Sequence, residues 1–174
     1  KAFKEAYLIA GYRFGFQDEP PLPGEDIHYS NDYHRFVLGF EGKVTSWLKI
    51  VGVVGGDWRD FAHHTPVGFQ DHQTRLYYDA SIVISPDKQN TFTVVLRQFE
   101  QPAFGSPSVY EDITWDFTWK HQFDAEWGFS GGFRAYGGDW LPPVLRDDWI
   151  FTPSATLSYT RNKHCRSWYR HQAR

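Results

Sequence analysis

Residues 112–120 read Asp112-Ile113-Thr114-Trp115-Asp116-Phe117-Thr118-Trp119-Lys120, and this stretch decides the fold. Ile113, Trp115, Phe117 and Trp119 alternate with Asp112, Thr114, Asp116, Thr118 and Lys120. Successive side chains of a strand point to opposite faces, so a two-residue period means a strand with one apolar and one polar, partly charged face. The run from Tyr110 to Lys120 continues for about ten residues, longer than the usual five or six of globular strands and near the length that crosses a bilayer at a tilt. Its apolar face is built of very large aromatics.

The same period recurs on both sides. Upstream, Tyr7–Gln17 sets Leu8, Ala10, Tyr12, Phe14 and Phe16 against Arg13 and Gln17, and Tyr33–Lys43 sets Phe36, Leu38 and Phe40 against Arg35 and Glu41. Trp47–Arg59 opposes Leu48, Ile50, Val54 and Trp58 to Lys49, Asp57 and Arg59; Arg75–Ser85 opposes Leu76, Tyr78, Ile82 and Ile84 to Arg75 and Asp79. Thr91–Phe99 places Phe92, Val94 and Leu96 opposite Thr93, Val95 and Arg97. Downstream, Trp127, Phe129, Phe133 and Ala135 oppose Glu126, Ser130 and Arg134, and Trp149, Phe151, Ala155, Leu157 and Tyr159 oppose Asp148, Thr152 and Ser154. Pro153 interrupts that last strand and implies a bulge or an edge, because proline lacks a ladder donor.

The connections form a second signal. Long stretches with Pro and Gly follow the first, third, fifth and seventh strands, whereas short turns follow the second, fourth and sixth, and again at residues 161–164. An up-and-down barrel in an outer membrane has this asymmetry, and a Greek-key sandwich has no reason to produce it. Aromatics fall near both presumed interfaces: Phe40, Trp47, Trp119, Phe123, Trp127 and Tyr159 beside the short turns, and Phe14, Phe16, Trp58, Trp149 and Phe151 beside the long loops. Amphipathic rings favour headgroup depth, so these form the expected girdles. The fold expected is therefore all-β, an antiparallel up-and-down transmembrane β-barrel over residues 1–162, with eight strands visible and a larger barrel open as an alternative.

Composition removes several classes. A formal charge of −3 and a pI near 6.2 give no electrostatic reason to expect nucleic acid. The longest apolar run, Ile50-Val51-Gly52-Val53-Val54, falls far short of the ~18–20 residues of a membrane helix, but a barrel hides its membrane signal in alternation. The single Cys165 cannot make an internal disulfide. With no Met and an opening of Lys1-Ala2-Phe3, the natural start is expected upstream, or removed by processing.

Sites of recognisable chemistry are sparse. His63, His64 and His72 lack ligand spacing with Cys or carboxylates, so no metal or other cofactor is expected. Asp112 and Asp116, four residues apart on one strand, are about 13 Å apart, too far for a glycosidase pair, and no Ser, His and Asp stand in a recognisable triad. The chain is not read as an enzyme.

The strands, loop asymmetry and girdles together resemble those of porin-like outer-membrane β-barrel proteins of bacteria. The resemblance covers Tyr7 to Tyr159 and is one of architecture, carried by aromatic-rich strands such as Arg75-Leu76-Tyr77-Tyr78-Asp79-Ala80-Ser81 and Arg146-Asp147-Asp148-Trp149-Ile150-Phe151-Thr152-Pro153-Ser154-Ala155. The basic tail, residues 163–174, departs from it: alternation stops and the end is not the terminal aromatic of such barrels, as if truncated, out of frame, or simply solvated. The resemblance implies location in the bacterial outer membrane, contact with lipid, passive diffusion of small polar solutes, and compatibility with a homo-oligomer. The polar faces would then line the lumen with Arg13, Arg35, Lys49, Arg59, Arg75, Arg97 and Arg134 against Glu41, Asp57, Asp79, Asp112, Asp116, Glu126 and Asp148. In a narrow barrel the same charges would form a plug of ion pairs instead. The alternative is a soluble β-sandwich carbohydrate-binding module using exposed Trp and Tyr as stacking platforms.

Overall fold

A computed structural model describes residues 6–19, 21, 24, 26–62, 65–102 and 108–160. The eight strands are β1 (Ala6–Gln17), β2 (Asn31–Lys43), β3 (Leu48–Phe61), β4 (His72–Ile84), β5 (Asn90–Pro102), β6 (Val109–Gln122), β7 (Trp127–Trp140) and β8 (Asp147–Tyr159). They form one antiparallel sheet in sequence order, with β1 and β8 at its edges. No helix long and apolar enough to cross a membrane occurs among the described residues.

Alternation survives across the sheet because every ladder pairs like with like. One line of partners runs Ala6, Gly42, Ile50, Ile82, Val94, Phe117, Phe133, Pro153, all on the apolar face. That line begins at the turn end of β1 and finishes six residues above the turn end of β8 at Tyr159. The stagger amounts to about 20 Å of rise over about 34 Å of sheet width, a strand tilt of roughly 30°. Close approach within the sheet uses glycine: a Cβ on Gly55 would collide with the Phe36 carbonyl of β2.

The apolar face has no covering layer among the described residues. Leu8 is 89% exposed, Leu38 68%, Phe151 62% and Leu157 64%, and Phe36, Val54, Leu76, Trp115, Phe117 and Phe133 share that face. The buried apolar cluster is instead at the loop end: Tyr29 from the β1–β2 loop, Phe61, Phe69 from the β3–β4 loop, Val109 and Leu141. Phe69 meets Tyr29 and Phe61 edge-on, at 5.1 and 4.8 Å between ring centroids. The Tyr29 hydroxyl reaches the Pro142 carbonyl at 3.5 Å, tying the β1–β2 connection to the one between β7 and β8.

Five strands run further toward the loops than hydrophobic alternation predicts, among them β7, which ends at Trp140 where a loop is expected from Gly137. β2 starts at Asn31, β3 ends at Phe61, β4 starts at His72 and β5 ends at Pro102. Ladder bonding is a backbone property and continues into polar sequence beyond the apolar band. His72 is thus a strand residue, while His63, His64, the turn expected at 161–164 and the basic tail with Cys165 lie outside the described residues. Pro153 marks an edge and no bulge: register is continuous from Phe133↔Pro153 to its neighbours.

Candidate functional site

The polar face is the concave one at the loop end. β1 and β5 are four strand spacings apart, about 19 Å in a flat sheet. Yet the Arg59 guanidinium, on β3, donates from Nη1 to Gln17 Oε1 on β1 at 3.3 Å and from Nη2 to the Glu100 carbonyl on β5 at 2.8 Å. Only a sheet curled around Arg59 lets one side chain touch both.

Register explains which charges meet. Arg13, Arg35, Asp57 and Arg75 are successive cross-strand partners on β1 to β4, forming one row. Arg35 and Arg75 flank Asp57 in this row and Arg59 joins them from further along β3, and β5 and β6 supply two further acids. Asp57 Oδ2 accepts from Arg35 at 2.7 Å and from Arg59 at 3.2 Å. Glu100 faces Arg59 at 3.4 Å and Arg75 at 3.5 Å, and Glu111 faces Arg75 at 3.3 Å. Asp57, Arg59, Glu100 and Glu111 are buried, and Arg35 packs its guanidinium 3.9 Å from the Tyr77 ring centre. Arg35, Arg59 and Arg75 thus face Asp57, Glu100 and Glu111, with all but the partly exposed Arg75 largely withdrawn from water, and this pairing offsets part of the cost of burying the charges.

A defect in the ladder makes this cluster accessible to Glu100 and Glu111. β4 and β5 pair only up to Tyr78↔Gln98, whereas β3–β4 continues to Asp60↔His72 and β5–β6 to Pro102↔Val109. Above Tyr78 and Gln98, β4 and β5 are not laddered to each other, and the Glu100 carbonyl takes its hydrogen bond from Arg59. Glu100 and Glu111 are direct cross-strand partners, a like-charge pairing that is unfavourable without cations between or beside them. Arg59 and Arg75 are those cations.

A second, more open polar region occupies the same face over β5 to β8. It is a concavity of about 600 Å³ lined by Val95, Arg97, Phe99, Asp112, Asp116, Arg134 and neighbours. Here Arg134 pairs with Asp116 at 2.6 Å and Arg97 with Asp79 at 3.3 Å. Asp112 accepts from Gln101 at 2.9 Å and from the Tyr136 hydroxyl at 3.1 Å. Asp148 pairs with Arg146 at 2.6 Å and accepts from Trp140 Nε1 at 3.1 Å.

Of the residues expected to line a lumen, Arg35, Asp57, Arg59 and Arg75 are brought together in the buried cluster. Arg97, Asp112, Asp116 and Arg134 line the open region, Asp79 is joined to it through Arg97, and Asp148 is held by Arg146 and Trp140 at the loop end of β8. Arg13, Glu41 and Lys49 are exposed and stand apart from both groups. Glu126 stands immediately before β7, which begins at Trp127; its amide donates to Asp124 Oδ1 at 2.7 Å and its carbonyl accepts from the Thr160 amide at 2.7 Å. Glu100 and Glu111 escape a reading of the sequence because alternation assigns them to the apolar side. The legible signal is that misfit, two acids in register where lipid-facing residues are expected.

Outside the strands, burial keeps two loop groups protonated to higher pH: the Tyr29 phenol is pushed up to about 12, with Glu19 adding to the effect, and the Glu19 carboxyl is itself raised. In the short turns the opposite occurs. Asp87 is lowered by hydrogen bonds from the Asn90 side chain and from the Asn90 and Gln89 amides, and Asp124 by the Trp127 and Glu126 amides. Comparison with protein-family models, curated proteins and solved structures finds no match.

Proposed function

We propose that this chain is a membrane-embedded β-barrel segment of a bacterial outer membrane, porin-like, passing small polar solutes by passive diffusion along its polar face. The observation that carries the reading is the uncovered apolar face, continuous across eight strands, opposite a concave face bearing the charges. Apolar surface on this scale needs a cover, and lipid is the cover that also accounts for a polar interior. The register stagger supports it, because strands in barrels are tilted and their hydrogen-bond lines climb. A soluble carbohydrate-binding sandwich would need a second sheet or partner over the same face.

The lumen on this reading is not uniform. The Tyr29, Phe61, Phe69 cluster and the buried charges narrow the loop end, which favours small solutes and also gives substance to a second reading, a sealed barrel with a structural polar interior. Refolding into detergent and then planar bilayers separates these outcomes. Heat-modifiable migration with discrete conductance steps supports a channel. The same migration without conductance indicates the sealed barrel, and a soluble monomer needing no detergent overturns the membrane reading.

A further inference from the structure

We propose that the upper β4–β5 seam is a lateral door between the concave chamber and the lipid-facing surface, latched by Arg59 and Arg75 against Glu100 and Glu111, and suited to single-chain amphiphiles. The proposal rests on the membrane reading above. Three features meet at one place. The ladder between β4 and β5 stops at Tyr78↔Gln98 while the flanking ladders run on, so separating these two strands above that level breaks no cross-strand backbone bond between them. What spans the gap is side-chain charge: Arg75 on β4 reaches Glu100 and Glu111, and Arg59 on β3 holds both the carboxylate and the carbonyl of Glu100. The open region over β5 to β8 borders the seam on its β5 side, where Val95, Arg97 and Phe99 line it together with Asp112 and Ile150, and apolar Leu76 of β4 stands exposed on the outer face. A polar head held by the chamber and an acyl tail leaving through the seam match that distribution.

The latch is tested by labelling from within the bilayer. In a Cys165→Ser background refolded into vesicles, Phe99→Cys reports on the chamber wall and Leu76→Cys on the lipid-facing side. The probe is a maleimide carried on a single acyl chain, itself an amphiphile of the proposed class. Leu76→Cys should react in every variant, whereas Phe99→Cys should react slowly until Arg75→Gln is added, and then about tenfold faster, the response to a one-decade change in the closed–open balance. Glu111→Gln, which removes one contact at the margin of the cluster, should give a smaller acceleration, and Arg75→Lys should restore slow labelling.

Fast labelling of Phe99→Cys with the latch intact, or no acceleration in both Arg75→Gln and Glu111→Gln while Leu76→Cys reacts, overturns the door. Failure of Leu76→Cys to react overturns the membrane reading on which it rests.

Discussion

Asp57 shows how much one carboxylate can hold in this molecule. It is 1% exposed and accepts from two guanidinium groups. Asp57→Asn keeps the shape and removes the charge, leaving Arg35 and Arg59 facing each other in a dry site, and should cost about 3 kcal/mol in urea unfolding from vesicles. The turn acids act differently. Asp87 has its acidity strengthened by native hydrogen bonds, so its contribution is complete above the ordinary carboxylate range and is lost as pH falls through its lowered value. Acid titration of stability should therefore flatten in Asp87→Asn. At this scale the sequence is half legible. Arg35, Asp57, Arg59 and Arg75 are readable as polar-face residues, but their gathering depends on curvature, and Glu100 and Glu111 break the period that makes the others visible.

At the scale of the strand, the two faces should respond oppositely to the same substitution. Leu38 is near the middle of β2 on the apolar face and 68% exposed. If lipid covers it, Leu38→Arg should destabilise the refolded protein by about 2–4 kcal/mol, as at a bilayer midplane. An exposed site in water would be close to neutral, so equilibrium unfolding of this single variant distinguishes the environments. Thr118→Arg, on the polar face of β6, serves as the matched control and should change stability little. All eight strands are legible because a two-residue period sustained over about ten residues fits the pleat of a strand and conflicts with the 3.6-residue turn of a helix. Their loop-end limits are not, since Asn31, His72 and Gln101 continue the ladder without contributing to the apolar pattern.

At the scale of the whole molecule, every strand ladder among the described residues joins sequence neighbours, in the order β1 to β8. Such a sheet could come apart hairpin by hairpin, each segment with its own midpoint, as in linear repeat arrays. Arg59 opposes this by joining β1, β3 and β5 through one guanidinium, and Tyr29 by tying the first connection to the last. Arg59→Ala should therefore broaden the unfolding transition as well as lower its midpoint, with tryptophan fluorescence and circular dichroism ceasing to coincide. The side chain that crosses the sheet thus acts as the coupling constant of an otherwise one-dimensional chain: with it the strands melt together, and without it each hairpin keeps its own melting temperature.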